Sequence, residues 1–328
     1  MLSVRRDKDL YLKFFEEHKD IPIFSSPWWL DATAGKHGWD VVLVEEEGKF
    51  IASFPYMIKR GKCGDFALTM PQLTQKLGVY IVYEEGLSSD YKKIEYENNI
   101  YEQIIQALPK FSFFAINFDC IYKNWLQFYW NGFNQTTRYT YRLHAIKDTG
   151  RIFESFEKSK RKKIKRGEKA FDFKQDLDAE TFYTYFEYVI NSRNEKVSYT
   201  KEFFYKLYEE VYKHDAGRSF YCVDKVNGNI AALKFIVWDS NTAYDIIGIR
   251  MKEYNSSGST EFLTYECIKY VSQHVDIFDF EGSMIKGVED AYRGYGTKQT
   301  EYYSISKDRR LIRPALGLVK RWLKSFRK

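Results

Sequence analysis

Two acids share one face of a short aromatic strand late in the chain. In FDFEGSMIKGVEDAYRGYG, which runs from Phe278 to Gly296, strand alternation sets Asp279 and Glu281 on one side and Phe278 and Phe280 on the other. Carboxylates at a strand end beside a Gly-Ser loop can take a proton from a reacting group, with Glu281 the expected base. They can equally pair with nearby lysines or cap the loop. A second string, EYNSSGSTEFL from Glu253 to Leu263, sets Ser256, Ser257, Gly258 and Ser259 directly ahead of a helical pattern. Free backbone N–H groups and the positive end of a helix suit an anion, and ordinary N-capping by Ser257 or Ser259 explains the same letters. Aromatic residues form 18% of the chain and are mostly core material, but Trp28, Trp29, Tyr56 and Tyr244 are candidates to line a sugar- or peptide-binding cleft.

Other chemistries find no support. Cys63, Cys120, Cys222 and Cys267 lie far apart without a CxxC pair, and the five histidines lack ligand-like spacing, so neither a metal nor a structural disulfide is expected. No Gly-x-Ser-x-Gly elbow occurs, and the Gly-rich phosphate loops of the P-loop and Rossmann kinds are missing. The opening MLSVRRDKDLYLKFFEEHKD has no apolar core of a signal peptide, and no apolar run approaches the roughly 20 residues that span a bilayer. The expected compartment is the cytoplasm.

The charge is unevenly placed. Residues 158–169, KSKRKKIKRGEK, hold eight basic residues against one acid, and residues 309–328 hold eight with none, so the overall +6 conceals a net −9 over the remaining chain. A DNA-coating protein is thereby disfavoured. The first segment reads as a basic helix able to hold tRNA or a nucleotide-linked substrate, or as a solvated linker. The second places Ala315, Leu316, Leu318, Val319, Trp322, Leu323 and Phe326 on one helical arc and lysines and arginines opposite. Such a helix can lie on an anionic membrane surface or pack on the protein body.

The elements that must position these residues recur. Trp39–Arg60 and Arg218–Trp238 both read as β-hairpins, the latter with a further strand, TAYDIIGI. Helical stretches follow, YENNIYEQIIQAL and Ser259–Val275, then the acid-ended strands Phe114–Asp119 and Ile277–Gly282, then GFNQTTRYTYRL and GYGTKQTEYYSI. Asp119 and Glu281, like Gly132 and Gly294, are 162 residues apart, which argues for a duplicated α+β unit. The second half opens with helical patterns at Arg151–Ala170, Ala179–Asn191 and Lys201–His214.

This order, and several strings within it, resembles the FemABX and GNAT-related acyltransferases, which carry two tandem GNAT-like domains. FSSPWWLDATAGKHGW resembles the family's Ser-x-x-Trp and Lys-x-x-Trp segments, implying Lys36 as a substrate contact. NSRNEKVSYTKEFF resembles its substrate-binding stretch, implying Arg193 and Tyr199 at the acceptor. The family's Phe-Lys-x-x-Phe-Gly corresponds to Tyr292, Arg293, Tyr295 and Gly296, so its lysine is an arginine here. Arg293 and Tyr292 would then stabilise an oxyanion, while an arginine cannot shuttle protons. The resemblance also implies coenzyme A diphosphate at Ser256–Ser259. The Arg-x-x-Gly-x-Gly/Ala form is absent, and the corresponding first-half segment, SDYKKIEYENN, has no glycine, so one active site in the second half is expected.

The reading is an α+β protein of two tandem GNAT-like domains, with mixed, mainly antiparallel sheets flanked by helices. The expected divisions are 1–148, 149–308 with the active site, and 309–328 as a basic amphipathic helix. The expected activity moves an acyl group from acyl-CoA to an amine of a cell-envelope or surface-polysaccharide precursor, such as a nucleotide-linked sugar, at the inner membrane face. The alternatives are an aminoacyl-tRNA-dependent Fem-type transferase, disfavoured because no coiled-coil arm is visible, and a non-catalytic sugar- or membrane-binding module.

Overall fold

The computed structural model describes residues 2–61, 65–84, 86–87, 89–282 and 284–309. The chain forms β1 (Leu2–Arg5), α1 (Lys8–Glu17), α2 (Pro27–Thr33), β2 (Trp39–Glu46), β3 (Lys49–Arg60), β4 (Phe66–Thr69) and the short β5 (Tyr80–Ile81). It continues through α3 (Asp90–Ala107), β6 (Phe113–Asn117), α4 (Leu126–Trp130) and β7 (Asn134–His144). After α5 (Thr149–Ser155) and α6 (Lys158–Ala170) the order recurs. The second round is β8 (Phe171–Gln175), α7 (Ala179–Ser192), α8 (Lys201–Lys213), β9 (Gly217–Asp224), β10 (Ile230–Trp238) and β11 (Thr242–Arg250), then α9 (Ser259–Val271), β12 (Ile277–Asp279), α10 (Lys286–Arg293) and β13 (Lys298–Asp308).

Local chemistry sets the boundaries. Asp7, Asp178 and Thr200 cap α1, α7 and α8 through side-chain oxygens, and Pro27 opens α2. Glu47 and Gly48, both at positive φ, make the two-residue turn that pairs Glu46 with Lys49. The stretch expected as one helix over Arg151–Ala170 is two. Phe156 turns extended to bury its ring, and the Glu157 N–H donates to the Gly294 carbonyl at 2.9 Å instead of continuing the helix.

The strands form one sheet in the order β1-β2-β3-β4-β6-β13-β7-β12-β11-β10-β9-β8, with β5 beside β3. Read from either edge, corresponding strands of the two halves appear in the same sequence. The pairs β4–β6 and β11–β12 are parallel and the other pairings antiparallel. At the centre the last strand of each half is exchanged: β7 lies against β12, β13 lies against β6, and β7 and β13 pair with each other from Lys298↔Arg142 to Ser306↔Asn134. The duplicated α+β fold therefore closes as a single mixed sheet, whose centre is built by both halves.

Helices cover both faces over three apolar cores. The first half is filled by residues such as Tyr11, Phe54, Tyr101 and Phe128. In the second half, Phe262, Leu263 and Ile268 of α9 pack on one face, while α7 and α8 cover the other together with Phe24 and Trp29 of the first half. Much of the aromatic content is thus packing. Among the described residues no helix is long and apolar enough to cross a membrane. Residues 310–328, most of the expected basic amphipathic helix, lie outside the described residues.

Candidate active site

Where the two halves meet, charge is buried. Asp279, the last residue of β12, has no solvent exposure. Its Oδ2 accepts from Lys76 Nζ at 2.9 Å and Arg142 Nε at 2.8 Å, and its Oδ1 accepts from Thr140 Oγ1 and from the Glu281 N–H at 2.9 Å. Strand periodicity explains two of these partners, since Thr140 and Arg142 are alternate residues of β7 and share a face. Burial alone would raise the Asp279 carboxyl. The Lys76 and Arg142 charges and the Thr140 hydrogen bond outweigh it and hold the group at about 2.

Glu281 follows on the same face, in a left-handed backbone turn (φ 60°) that ends the strand. Its Oε1 lies 3.5 Å from Lys76 Nζ and is buried without a hydrogen bond among the described residues. Burial, reinforced by the Asp279 charge and only partly offset by Lys76, pushes this carboxyl up to about 8. Lys76 is itself shifted upward, because Asp279 and Glu281 together overcome the cost of its burial. Its Nζ also stands 5.1 Å from the Tyr244 ring centroid and 6.0 Å from that of Tyr302. Arg142 reaches Asp119 at 3.9 Å. Lys76 stands nearer Asp279 than Glu281, and Arg142 pairs with Asp279, so burial prevails at Glu281 and it keeps its proton to high pH.

A gap opens beside this cluster. β11 pairs with β12 only over Thr242–Tyr244, so from Asp245 to Arg250 it has no strand partner on that side among the described residues. A cavity of about 220 Å3 lies there, lined by Arg193, Lys234, Asp245, Arg250, Thr260 and Tyr292 among others. Asp245 Oδ2 pairs with Lys234, whereas Asp245 Oδ1, Arg250 Nε and Thr260 Oγ1 are buried without hydrogen-bond partners among the described residues. Burial raises the Asp245 carboxyl against the pull of Lys234. The Tyr292 hydroxyl is raised by burial and then by the charges of Asp245 and Glu281, so it stays a donor between the cavity and the carboxyl cluster.

The corresponding place in the first half is closed. Beyond Thr69 no strand continues. The segment instead runs beside the end of β6, where the Leu77 N–H donates to the Asn117 carbonyl at 2.7 Å and Asn117 Nδ2 donates to the Gln75 carbonyl at 3.0 Å. That path carries Lys76 into the second half's cluster.

The residues expected to act are only partly brought together. Glu281 and Tyr244 meet at Lys76, while Tyr292 and Arg193 line the adjoining cavity. Arg293 stands apart, exposed and paired with Glu289 and Asp290 of its own helix. Trp29 and Tyr56 are fully buried, with hydrogen bonds to Thr74 and Asp40. Trp28 stacks on His214, Tyr199 stacks on Phe186 within the core, and Lys36 is exposed. The sequence reading passed over Lys76, Arg142, Lys234 and Asp245. For the last two a signal existed, one charge in the middle of each apolar strand, IAALKFIVW and TAYDIIGIR.

The Ser256–Ser259 loop is already engaged. Arg166 of α6 donates to the Ser257 carbonyl at 2.9 Å and also to that of Ser256, and Ser257 Oγ accepts from the Ser259 N–H at 3.1 Å. A Cβ on Gly258 would meet the Lys163 carbonyl oxygen at 2.4 Å, so the α6 backbone lies directly on the helix start. Glu261, in the first turn of α9, is buried and pairs with Lys160 and Lys163 at 3.3 and 3.1 Å. A diphosphate at this helix end would face that carboxylate and find one of the loop's N–H groups taken, so the loop as folded does not fit it.

Comparison with known proteins agrees with this architecture. The acetyltransferase (GNAT) domain family matches residues 154–292. No curated protein sequence matches the chain. Among solved structures, FemX superposes with a TM-score of 0.68 at 13% identity over 97% of this chain and 99% of its own. L-PGS from Bacillus licheniformis gives 0.53 at 11% identity, covering 96% of each chain. A tandem GNAT protein from the clavulanic acid biosynthesis pathway gives 0.50 at 8% identity, over 94% of this chain and 99% of its own. At these identities the likeness is one of fold. Residues 154–292 thus match the acetyltransferase (GNAT) domain family, and the chain as a whole has the fold seen in FemX and in the tandem GNAT protein.

Proposed function

We propose that this protein is an N-acyltransferase, with Glu281 as the base that receives the proton of the attacking amine. The carrying observation is the Glu281 carboxyl, pushed up to about 8 by burial, its Oε1 3.5 Å from Lys76 Nζ at the junction of both halves. The amine nitrogen bonds to the donor's acyl carbon, its proton passes to Glu281, and the carbonyl oxygen gathers negative charge. The Tyr292 hydroxyl is suited to donate to that oxygen. Collapse breaks the bond to the leaving oxygen or sulfur, which takes the proton back from Glu281. Lys76 and Arg142 hold Asp279 ionised, and Asp279 fixes the Glu281 backbone, so the base is presented by a rigid support.

The acceptor is assigned to the cleft of about 700 Å3 in the first half, where Thr33, Lys59, Arg60, Thr69 and Gln72 contribute to the lining. Two cations there suit an acceptor amine on a phosphate-bearing precursor, such as a nucleotide-linked sugar of the cell envelope. GNAT domains generally use acyl-CoA, and an acetyl-like donor remains the general reading. A second reading, an aminoacyl donor carried on tRNA, is favoured by one feature. The unpartnered Asp245 Oδ1 in the cavity matches a free ammonium on the acyl group, for which an acetyl group has no counterpart.

Single-turnover transfer to an amino-sugar acceptor tests both points. Glu281→Gln should lower the rate by roughly 100-fold or more with donor binding retained. Asp245→Asn should cost roughly tenfold or more with aminoacyl-tRNA and nothing with acetyl-CoA. Full activity in Glu281→Gln refutes the catalytic reading. Turnover of neither donor by the parent points to a binding module.

A further inference from the structure

One surface of the first half is apolar and aromatic, and no described residue covers it. On α3 and α4 and the loop before α4, Tyr91, Ile94, Ile121, Leu126, Tyr129 and Trp130 are exposed, Ile121 to 65%, Tyr129 to 58% and Trp130 to 61%. Phe128 alone turns from α4 into the core. A groove of about 440 Å3 joins Ile94 to Ile121 and Leu126, with Lys93 and Lys123 at its sides. The acids there are Asp90, at the start of α3, Glu97, which is buried and accepts from the Tyr83 hydroxyl at 2.7 Å, and Glu301, which pairs with Lys123 at 3.2 Å.

The described chain ends beside this face. β13 runs out at Asp308 against Phe113, the Arg309 N–H donates to the Ser112 carbonyl at 2.8 Å, and the Arg309 guanidinium sits 4.6 Å from the Phe111 ring centroid. Lys307 Nζ donates to the carbonyl of Asn131, the residue directly after Trp130. The segment that departs here, residues 309–328, has eight basic residues and no acid.

We infer that this face, with the cationic segment leaving beside it, docks on an anionic lipid bilayer. Tyr and Trp rings partition to the headgroup level, and Ile and Leu side chains reach the acyl boundary. An apolar patch of this size holds a protein only weakly to a bilayer, and stable attachment needs a second, electrostatic contribution, which a run of eight cations supplies. The two observations are independent, one from side-chain exposure and one from charge, and the path of β13 brings them together.

Vesicle co-sedimentation of the full chain tests the inference. The chain should pellet with phosphatidylglycerol-containing vesicles, release as salt rises, and bind phosphatidylcholine vesicles far more weakly. Tyr129→Ser with Trp130→Ser should cost roughly tenfold or more in partitioning. Circular dichroism should be unchanged and Tm should fall little, since both side chains are mostly exposed and the Tyr129 ring meets Trp125 edge-on. Ile121→Ser, on a separate loop, repeats the test if α4 does not tolerate the pair. Parental binding by these variants overturns the inference, as does failure of the full chain to pellet. So does a lipid-free dimer that the Tyr129 and Trp130 changes dissolve. Lipid-free amide-exchange protection of α3 and α4 that vanishes when the chain is ended at Arg309 also overturns it, because the segment would then cover the face itself.

Discussion

Glu281→Gln removes one titrating group from an enclosed position while keeping its shape, so its consequences can be worked out before any substrate is known. The native carboxyl holds its proton to about pH 8, whereas its ordinary value is 4.5. Between these values the folded protein binds one proton more than the unfolded chain. Stability therefore falls as pH rises through this window, by about 1.4 kcal/mol per pH unit, and levels off above it. The Gln variant lacks that contribution. In urea unfolding at about pH 5.5, 6.5 and 7.5, the stability of the parent relative to the variant should fall by about 1.4 kcal/mol at each step. A difference that stays constant would show Glu281 already ionised across the range and would refute the argument from burial. Catalysis should run the other way, because a base must be unprotonated: kcat/KM should climb with pH toward a plateau above about 8. Opposed trends of stability and activity in one pH window are specific to a buried carboxyl acting as a base.

Three further outcomes follow from the same geometry. Lys76→Met leaves Asp279 and Glu281 without their shared cation, so it should destabilise the fold by about 3–5 kcal/mol in chemical denaturation and move the rising limb of the pH–rate profile upward. Gly167→Ala, an exchange that ordinarily stabilises a helix interior by about 1 kcal/mol, should instead lower Tm, because the new Cβ would stand 2.4 Å from the Phe262 Cβ and 2.9 Å from the Gly258 carbonyl oxygen. Arg293→Ala should leave transfer rates within about twofold of the parent, since its guanidinium is exposed and bound to its own helix.

The parts legible in the sequence are those whose signals are local. Hairpins announced themselves by alternation and by turns such as Glu47-Gly48, helices by their apolar patterning, and the duplication by a constant 162-residue offset. Glu281 was legible because alternation and a following glycine mark a strand end. Lys76 was not, since TQKLG has no periodicity that aims its lysine and its partners lie about 200 residues away. Arg142 was hidden for a related reason. Alternation gives it a face of β7, but only the exchange of β7 and β13 decides that Asp279 is on the neighbouring strand. Arg293 was assigned through a motif correspondence, and its two acids at i−4 and i−3 were a local sign that it would pair within α10.

The single site follows from how the duplicated halves differ at one strand. In the second half β11 runs six residues past its pairing with β12, which leaves an edge, a cavity and three polar atoms without hydrogen bonds among the described residues. In the first half β4 stops at Thr69, and the chain after it fills the equivalent place along β6. Filling that place spends the first half's own groove. The same stretch delivers Lys76 to Asp279 and Glu281, and a lysine there is what makes two adjacent buried carboxyls tolerable. A cation at 2.9 Å from one acid and 3.5 Å from the other favours ionisation of the nearer, Asp279, and leaves Glu281 to titrate near neutrality. The loss of one groove and the raising of the Glu281 carboxyl beside the other are thus one structural event.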